Sequence, residues 1–156
     1  MHLLFWRHAQ AENGTPDLER PLTNHGMHQA ELVARWLGSR LPQHCHILVS
    51  PAVRTQQTLA ALHSTASSIT PIVEPLIAPG ASVADVLTAI AKLEPSNSED
   101  TVLVVGHQPW LGLTISQLLI GHESPWAVRK SSLWWLSQSK YDDQWIIRAV
   151  VDPDLL

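Results

Sequence analysis

The sequence predicts an α/β fold: a three-layer α/β/α sandwich on a mostly parallel sheet, with an antiparallel pair of strands at one edge. Three observations carry this. Short apolar runs at residues 3–6, 47–49 and 101–105 stop abruptly at polar residues, as strands buried on both faces do. Segments with apolar positions at helical spacing alternate with those runs, which implies parallel strands with helices on both faces. Two further strand-like stretches, 132–136 and 144–151, read as a terminal antiparallel pair.

Each element has its own signature. The first strand ends at Arg7-His8, and residues 9–22 are polar, with Gly14 and two prolines, so they form a loop. Thr23 is a good N-cap for a helix reaching about Leu41, whose apolar face is Ala30, Val33, Ala34, Leu37 and Leu41. The second strand, 47–49, is closed by Ser50-Pro51. Pro51 suits the first turn of a helix that Leu59, Ala60 and Leu62 carry to about Thr65. Ile72-Val73 is a third strand, followed by a Pro/Gly loop that turns at Gly80. Val83, Val86, Leu87, Ile90 and Ala91 mark a helix, and residues 95–100 a polar turn. The clearest strand, 101–105, ends in Gly106-His107, and a helix follows over about 110–120. If Trp134 and Trp135 lie on a strand, they point to opposite faces of the sheet. Trp110 is assigned to the core rather than to a pocket rim.

Residues 1–156 read as one domain, without repeats, low-complexity tracts or linkers. Hydrophobic residues make up 45% and charged residues 15% of the chain, which excludes disorder by self-repulsion. The net charge of −4 argues against a general nucleic-acid or anionic-membrane surface. Cys45 is alone, so no intramolecular disulfide can form, and a reducing compartment is expected. No apolar run approaches the ~20 residues of a membrane-spanning helix, and the opening residues lack the basic region of a signal peptide. The expectation is a soluble, cytoplasmic protein with no nucleic-acid or membrane partner; the oligomeric state stays open.

Polar residues of one character gather at the predicted strand ends. The first strand delivers Arg7-His8, the second Ser50-Pro51-Ala52-Val53-Arg54, the fourth Gly106-His107-Gln108-Pro109. Ligands of open α/β sheets bind beyond the carboxyl ends of the strands, so two arginines and two histidines are expected to meet there. A guanidinium fork suits a phosphoryl group, and Arg54 sits where free N–H groups at a helix start favour an anion. A neutral imidazole there can act as a nucleophile, and the surrounding cations can offset phosphoryl charge without a metal. No Walker-type loop is present.

Arg7-His8-Ala9 after the first strand resembles the Arg-His-Gly signature of the histidine phosphatase superfamily, which includes the phosphoglycerate mutases. Arg20-Pro21-Leu22-Thr23 with Gly26 and Gln29, then Ser50-Pro51-x-x-Arg54-x-x-Gln57-Thr58, then Gly106-His107-x-Pro109, continue the pattern in order. The compact set, ending Gly106-His107-Gln108-Pro109-Trp110-Leu111-Gly112, is most similar to the phosphohistidine phosphatase branch. The resemblance spans about residues 3–120 and implies a phosphoglycerate mutase-like fold. It further implies that His8 is the nucleophile that becomes phosphorylated and that Arg7, Arg54 and His107 surround the phosphoryl group. Arg20 would be either a secondary substrate contact or a loop anchor.

Two departures stand out. Ala9 replaces the glycine after the histidine. The mutase-like members carry an acidic residue two positions after the leucine that follows the third strand; here that leucine is Leu76 and the position is Ala78. Glu74 and Asp85 are nearby acids, but neither matches the motif. His44-Cys45-His46 lacks a third ligand at a useful spacing, so no metal or other cofactor is expected. His25 and His28 read as a solvated helix face, and Cys45 as a structural thiol. The reading is a metal-independent phosphatase acting on phosphohistidine in a signalling or phosphotransfer protein. The alternatives are a small-molecule phosphomonoesterase and a catalytically silent phosphate-binding module.

Overall fold

The computed structural model describes residues 1–42, 44–64, 70–95 and 99–156. Its strands are β1 (His2–Arg7), β2 (Cys45–Val49), β3 (Ile72–Val73), β4 (Thr101–Gly106), β5 (Leu133–Gln138) and β6 (Trp145–Val151). Its helices are α1 (Asn24–Gly38), α2 (Val53–Ala60), α3 (Val83–Ala91) and α4 (Trp110–Ile120). The sheet order is β3-β2-β4-β1-β5-β6. β3, β2, β4 and β1 pair in parallel, whereas β5 runs antiparallel to β1 and β6 antiparallel to β5. The α/β/α sandwich with its antiparallel edge pair is therefore as the sequence predicts.

Alternation along the strands builds two cores. Leu4 and Trp6 of β1, Ile47 and Val49 of β2, and Leu103 and Val105 of β4 pack against α1 and against Leu59 of α2. Leu3, Phe5, Leu48, Val102 and Val104 point the other way, onto α3 and onto Trp110, Leu111 and Ile115 of α4. A central parallel strand covered on both faces has no polar position to spare, which is why β4 is buried along its whole length. Trp135 joins the first core beside Trp36, and Trp134 packs on Trp126 at the second, so the two do face opposite ways.

Element ends depart from the sequence reading where local geometry overrides periodicity. α1 is capped by Thr23, whose Oγ1 accepts from the Gly26 N–H at 2.9 Å, but it stops at Gly38 rather than Leu41. Leu41 precedes Pro42, which disfavours helical backbone there, and glycine is a poor helix former. Pro51 lies outside α2 rather than in its first turn. The Ser50 N–H still donates to Val105 O at 3.1 Å, so the chain stays paired with β4 through Ser50, and Ala52 is the N-cap. α2 tightens after Ala60 into a 3₁₀ turn, Ala61–Ser64; Thr65 and residues 96–98 of the polar turn fall outside the described residues. β5 runs two residues beyond 136 because it keeps pairing with β1 as far as Ser137 and with β6 as far as Gln138. No helix among the described residues is long and apolar enough to cross a membrane.

Candidate active site

Because β2, β4 and β1 are neighbours and parallel, their carboxyl ends open on one edge of the sheet. His8 leaves β1 with its N–H donating to Gly106 O at 3.0 Å, so it sits directly beside the turn that carries His107. The two imidazoles are 5.2 Å apart between ring centroids. Ser50, leaving β2, places its Oγ 2.7 Å from Nε2 of His107. Gly106 lets this turn close: a Cβ there would lie 2.0 Å from the Trp110 ring, which fills the space below His107. Trp110 is fully buried, as a core residue.

The tautomers follow from the partners. Nδ1 of His8 lies 2.7 Å from its neighbour's carbonyl, Ala9 O, an acceptor only. Nδ1 therefore carries the proton and donates, and Nε2 keeps its lone pair. Burial, reinforced by the charges of Arg54, Arg7 and Arg20, lowers the His8 pKa to about 4 against the opposing pull of the Ala9 carbonyl. At neutral pH its imidazole is thus unprotonated, with the Nε2 lone pair available. His107 is lowered further, to about 3, by burial and then by His8 and Arg54. Ser50 Oγ also accepts from the Ala52 N–H at 3.5 Å. The other ring nitrogen of His107, Nδ1, is a buried atom with no partner among the described residues.

Arg7 and Arg54 each leave one buried guanidinium donor in the same condition. Arg7 donates through one terminal nitrogen to Val128 O at 2.7 Å, and its Nε is unpaired. Arg54 is almost wholly buried, and Asp17 takes both of its terminal nitrogens, with its carbonyl at 2.6 Å and its carboxylate at 2.9 Å. The Arg54 Nε has no partner among the described residues, and each terminal nitrogen keeps a second N–H beyond its bond to Asp17. Buried polar nitrogens without partners are costly, and the two arginines and His107 Nδ1 beside the unprotonated His8 imidazole suit a phosphoryl cradle, a site for an anion with several acceptor oxygens. The cradle is held from below by Thr58 on α2. Its hydroxyl donates to Arg54 O at 2.7 Å and accepts from the Ala9 N–H at 3.0 Å, joining the arginine's helix to the residue after His8.

Comparison with known proteins agrees with this geometry. The model of the histidine phosphatase superfamily (branch 1) matches residues 3–78, the span that holds Arg7, His8 and Arg54. Phosphohistidine phosphatase SixA of Escherichia coli is 29% identical over 133 residues, covering 80% of this chain and 78% of that protein. The solved structure of the protein histidine phosphatase SixA complexed with tungstate superposes with a TM-score of 0.84. It is 25% identical, over 99% of this chain and 99% of that one. By these matches the chain is similar to the histidine phosphatase superfamily. It is a phosphatase, and an uncharacterized Mycobacterium tuberculosis protein resembles it at 35% identity over 105 residues, 66% of this chain and 63% of the other.

Of the residues singled out in the sequence, the phosphatase brings Arg7, His8, Arg54 and His107 together. Arg20 contacts the loop: its Nε donates to Glu12 O at 2.6 Å and a terminal nitrogen to the Asp17 carboxylate at 2.8 Å. Its charge still reaches His8. Glu74 and Asp85 both have local tasks. The Glu74 carboxylate accepts from the Leu76 N–H, and Asp85 completes the capping box of α3 with Ser82, which lowers its pKa. Cys45 is a half-buried thiol pushed up to about 12 by burial, hence unreactive. Among the described residues no three His, Cys, Asp or Glu side chains gather as metal ligands. The sequence reading does not reach Asp17, the Ser50 hydroxyl or the segment around Val128. Asp17 has a partial signal, since it stands three residues before Arg20, but nothing local marks its bond to Arg54.

Proposed function

We propose that this phosphatase hydrolyses phosphohistidine in a signalling or phosphotransfer protein, through a covalent phosphohistidine on His8. The observation that carries the reading is the His8 imidazole, with Nδ1 committed to Ala9 O and a pKa lowered to about 4, so that Nε2 is free to attack. The Nε2 lone pair forms a bond to phosphorus while the P–N bond to the substrate imidazole breaks. That imidazole, already protonated on its other ring nitrogen, leaves with the electron pair as neutral imidazole. The guanidinium groups of Arg7 and Arg54, with His107 beside them, stabilise the charge on the phosphoryl oxygens in the transition state. Water then attacks the phosphorus, the bond to Nε2 breaks, and phosphate departs, returning His8 to its neutral form.

Two features favour a phosphohistidine substrate. The first is the leaving group. Ala78 stands where the mutase-like relatives carry an acid, and Glu74 and Asp85 are engaged elsewhere. An imidazole accepts its proton readily, with an ordinary pKa of about 6.5, so it can leave without an enzymatic acid where an alkoxide cannot. The second is likeness to relatives named for phosphohistidine and protein histidine phosphatase activity.

The test is a panel of leaving groups. kcat/KM should fall from phosphohistidine protein to aryl phosphate to alkyl phosphate, with the alkyl ester lower by about 10²–10⁴ for want of acid catalysis. A flat profile, or preference for an alkyl or sugar phosphate, would turn the assignment toward a small-molecule phosphomonoesterase.

A further inference from the structure

Beside the phosphoryl cradle a cleft of about 400 Å³ opens on the far side of Arg7, lined by Gln10, His25, Gln29, Arg129 and Lys130 as well as by Arg7 itself. Its charges are unequally matched. Arg129 is neutralised within the cleft wall by Asp152 at 2.9 Å and Asp154 at 2.6 Å. Those carboxylates are thereby spent, and Lys130 forms no ion pair among the described residues. Gln29 uses its side-chain oxygen to accept from the Gln10 N–H, which leaves its amide N–H groups as donors. Arg7, Arg129 and Lys130 against Asp152 and Asp154 give the cleft a net charge of one positive, in a chain of net charge −4, with an amide donor beside it.

Lys130 is also fixed in place relative to the nucleophile. The next residue, Ser131, is buried, adopts a left-handed backbone with φ +58°, and donates its N–H to His8 O at 3.2 Å. Its carbonyl accepts from the Trp6 indole at 3.0 Å, Val128 O accepts from Arg7, and Ser132 O accepts from the Arg7 N–H at 3.1 Å. A non-glycine residue held at positive φ by this many bonds is a strained turn maintained by its surroundings. The turn places Lys130, an exposed residue of the cleft wall, next to the residue whose N–H is bonded to His8 O.

We propose that the cleft between Arg7 and Lys130 binds an acidic side chain flanking the phosphohistidine of the polypeptide substrate. This rests on the phosphohistidine reading above and extends it from the phosphoryl group to the sequence around it. The cleft exceeds what one carboxylate fills, and Arg129 and Lys130 are exposed at its rim, so a chain can enter and leave. A rim charge of this kind acts mainly on encounter and on the ionic-strength dependence of binding.

The experiment compares three phosphohistidine peptides with an acidic, a neutral or a lysine flank, using the wild-type chain, Lys130→Ala and Lys130→Glu. Wild type should favour the acidic over the neutral flank about fivefold in kcat/KM at low salt, the size expected of one exposed charge contact. The preference should shrink as salt screens it. Lys130→Ala should bring the ratio close to one, and Lys130→Glu should turn it toward the lysine flank. Equal rates on all three peptides by wild type, or an acidic preference that survives Lys130→Glu, would overturn the proposal while leaving phosphohistidine hydrolysis standing. Hydrolysis of an aryl phosphate with no turnover of any phosphohistidine peptide would overturn the substrate reading, and this proposal with it.

Discussion

Acidification should weaken the wild-type fold more than the fold of a His8→Ala variant, by an amount set by burial of His8. In the unfolded chain an imidazole takes up its proton near pH 6.5, whereas His8 in the folded state does so only near 4. Between those values the unfolded state binds more protons, so stability is present above about pH 6.5 and is lost as the pH falls through the window. The gap of roughly 2.5 units corresponds to about 3.4 kcal/mol in full. At about pH 4.5 some 2.4 kcal/mol of that is realised, and partial exposure of the ring reduces it to about 2 kcal/mol. Urea unfolding of both proteins at about pH 7 and about pH 4.5 measures it directly, with His107 retained in each. The wild type should lose about 2 kcal/mol more than the variant. Parallel stability curves would show that His8 titrates as an ordinary imidazole and would refute the electrostatic account of its nucleophilicity.

Three further outcomes are expected from the same geometry. Arg54→Ala should lower the turnover rate by about 10²–10³, and Arg54→Lys should restore little of it. One ammonium cannot hold Asp17 with two nitrogens and still aim a third donor into the cradle; near-wild-type kinetics for the lysine variant would count against that division of labour. Gly106→Ala sets a methyl 2.0 Å from the Trp110 ring and should destabilise by about 2–3 kcal/mol in denaturant melts, with loss of activity as His107 shifts. Glu74→Gln and Asp85→Asn should each leave phosphohistidine turnover within about threefold of wild type, since each carboxylate serves a local cap. A collapse in either would reveal an acid in the chemistry.

Much of the fold and the site is legible in the sequence, for identifiable reasons. β4 is an unbroken apolar run because a central parallel strand is covered on both faces, and its end at Gly106-His107 announces the turn that holds His107. Arg7, His8 and Arg54 are readable because residues just past the carboxyl ends of neighbouring parallel strands meet at one edge of the sheet. Other features are hidden because they depend on contacts between distant residues. Asp17 reaches Arg54 across 37 positions, and the 128–132 segment grips β1 across more than 120, with no periodicity to mark either. The Asp17 bonds also show that Arg54 is shared with the loop: one N–H of each terminal nitrogen goes to Asp17, which leaves Nε–H and a second N–H on each. The helix ends expected at Leu41 and Pro51 are misplaced because a following proline and continued strand pairing outweigh the apolar pattern.

The most direct test of the central claim is to identify the atom that carries the phosphoryl group during turnover. The wild-type chain is mixed briefly with labelled phosphohistidine protein, quenched in alkali, digested and sequenced by mass spectrometry. The account predicts an alkali-stable, acid-labile phosphate on His8, formed no more slowly than turnover and absent from His8→Ala. Label on a serine or on Cys45, or full turnover by His8→Ala, would contradict it.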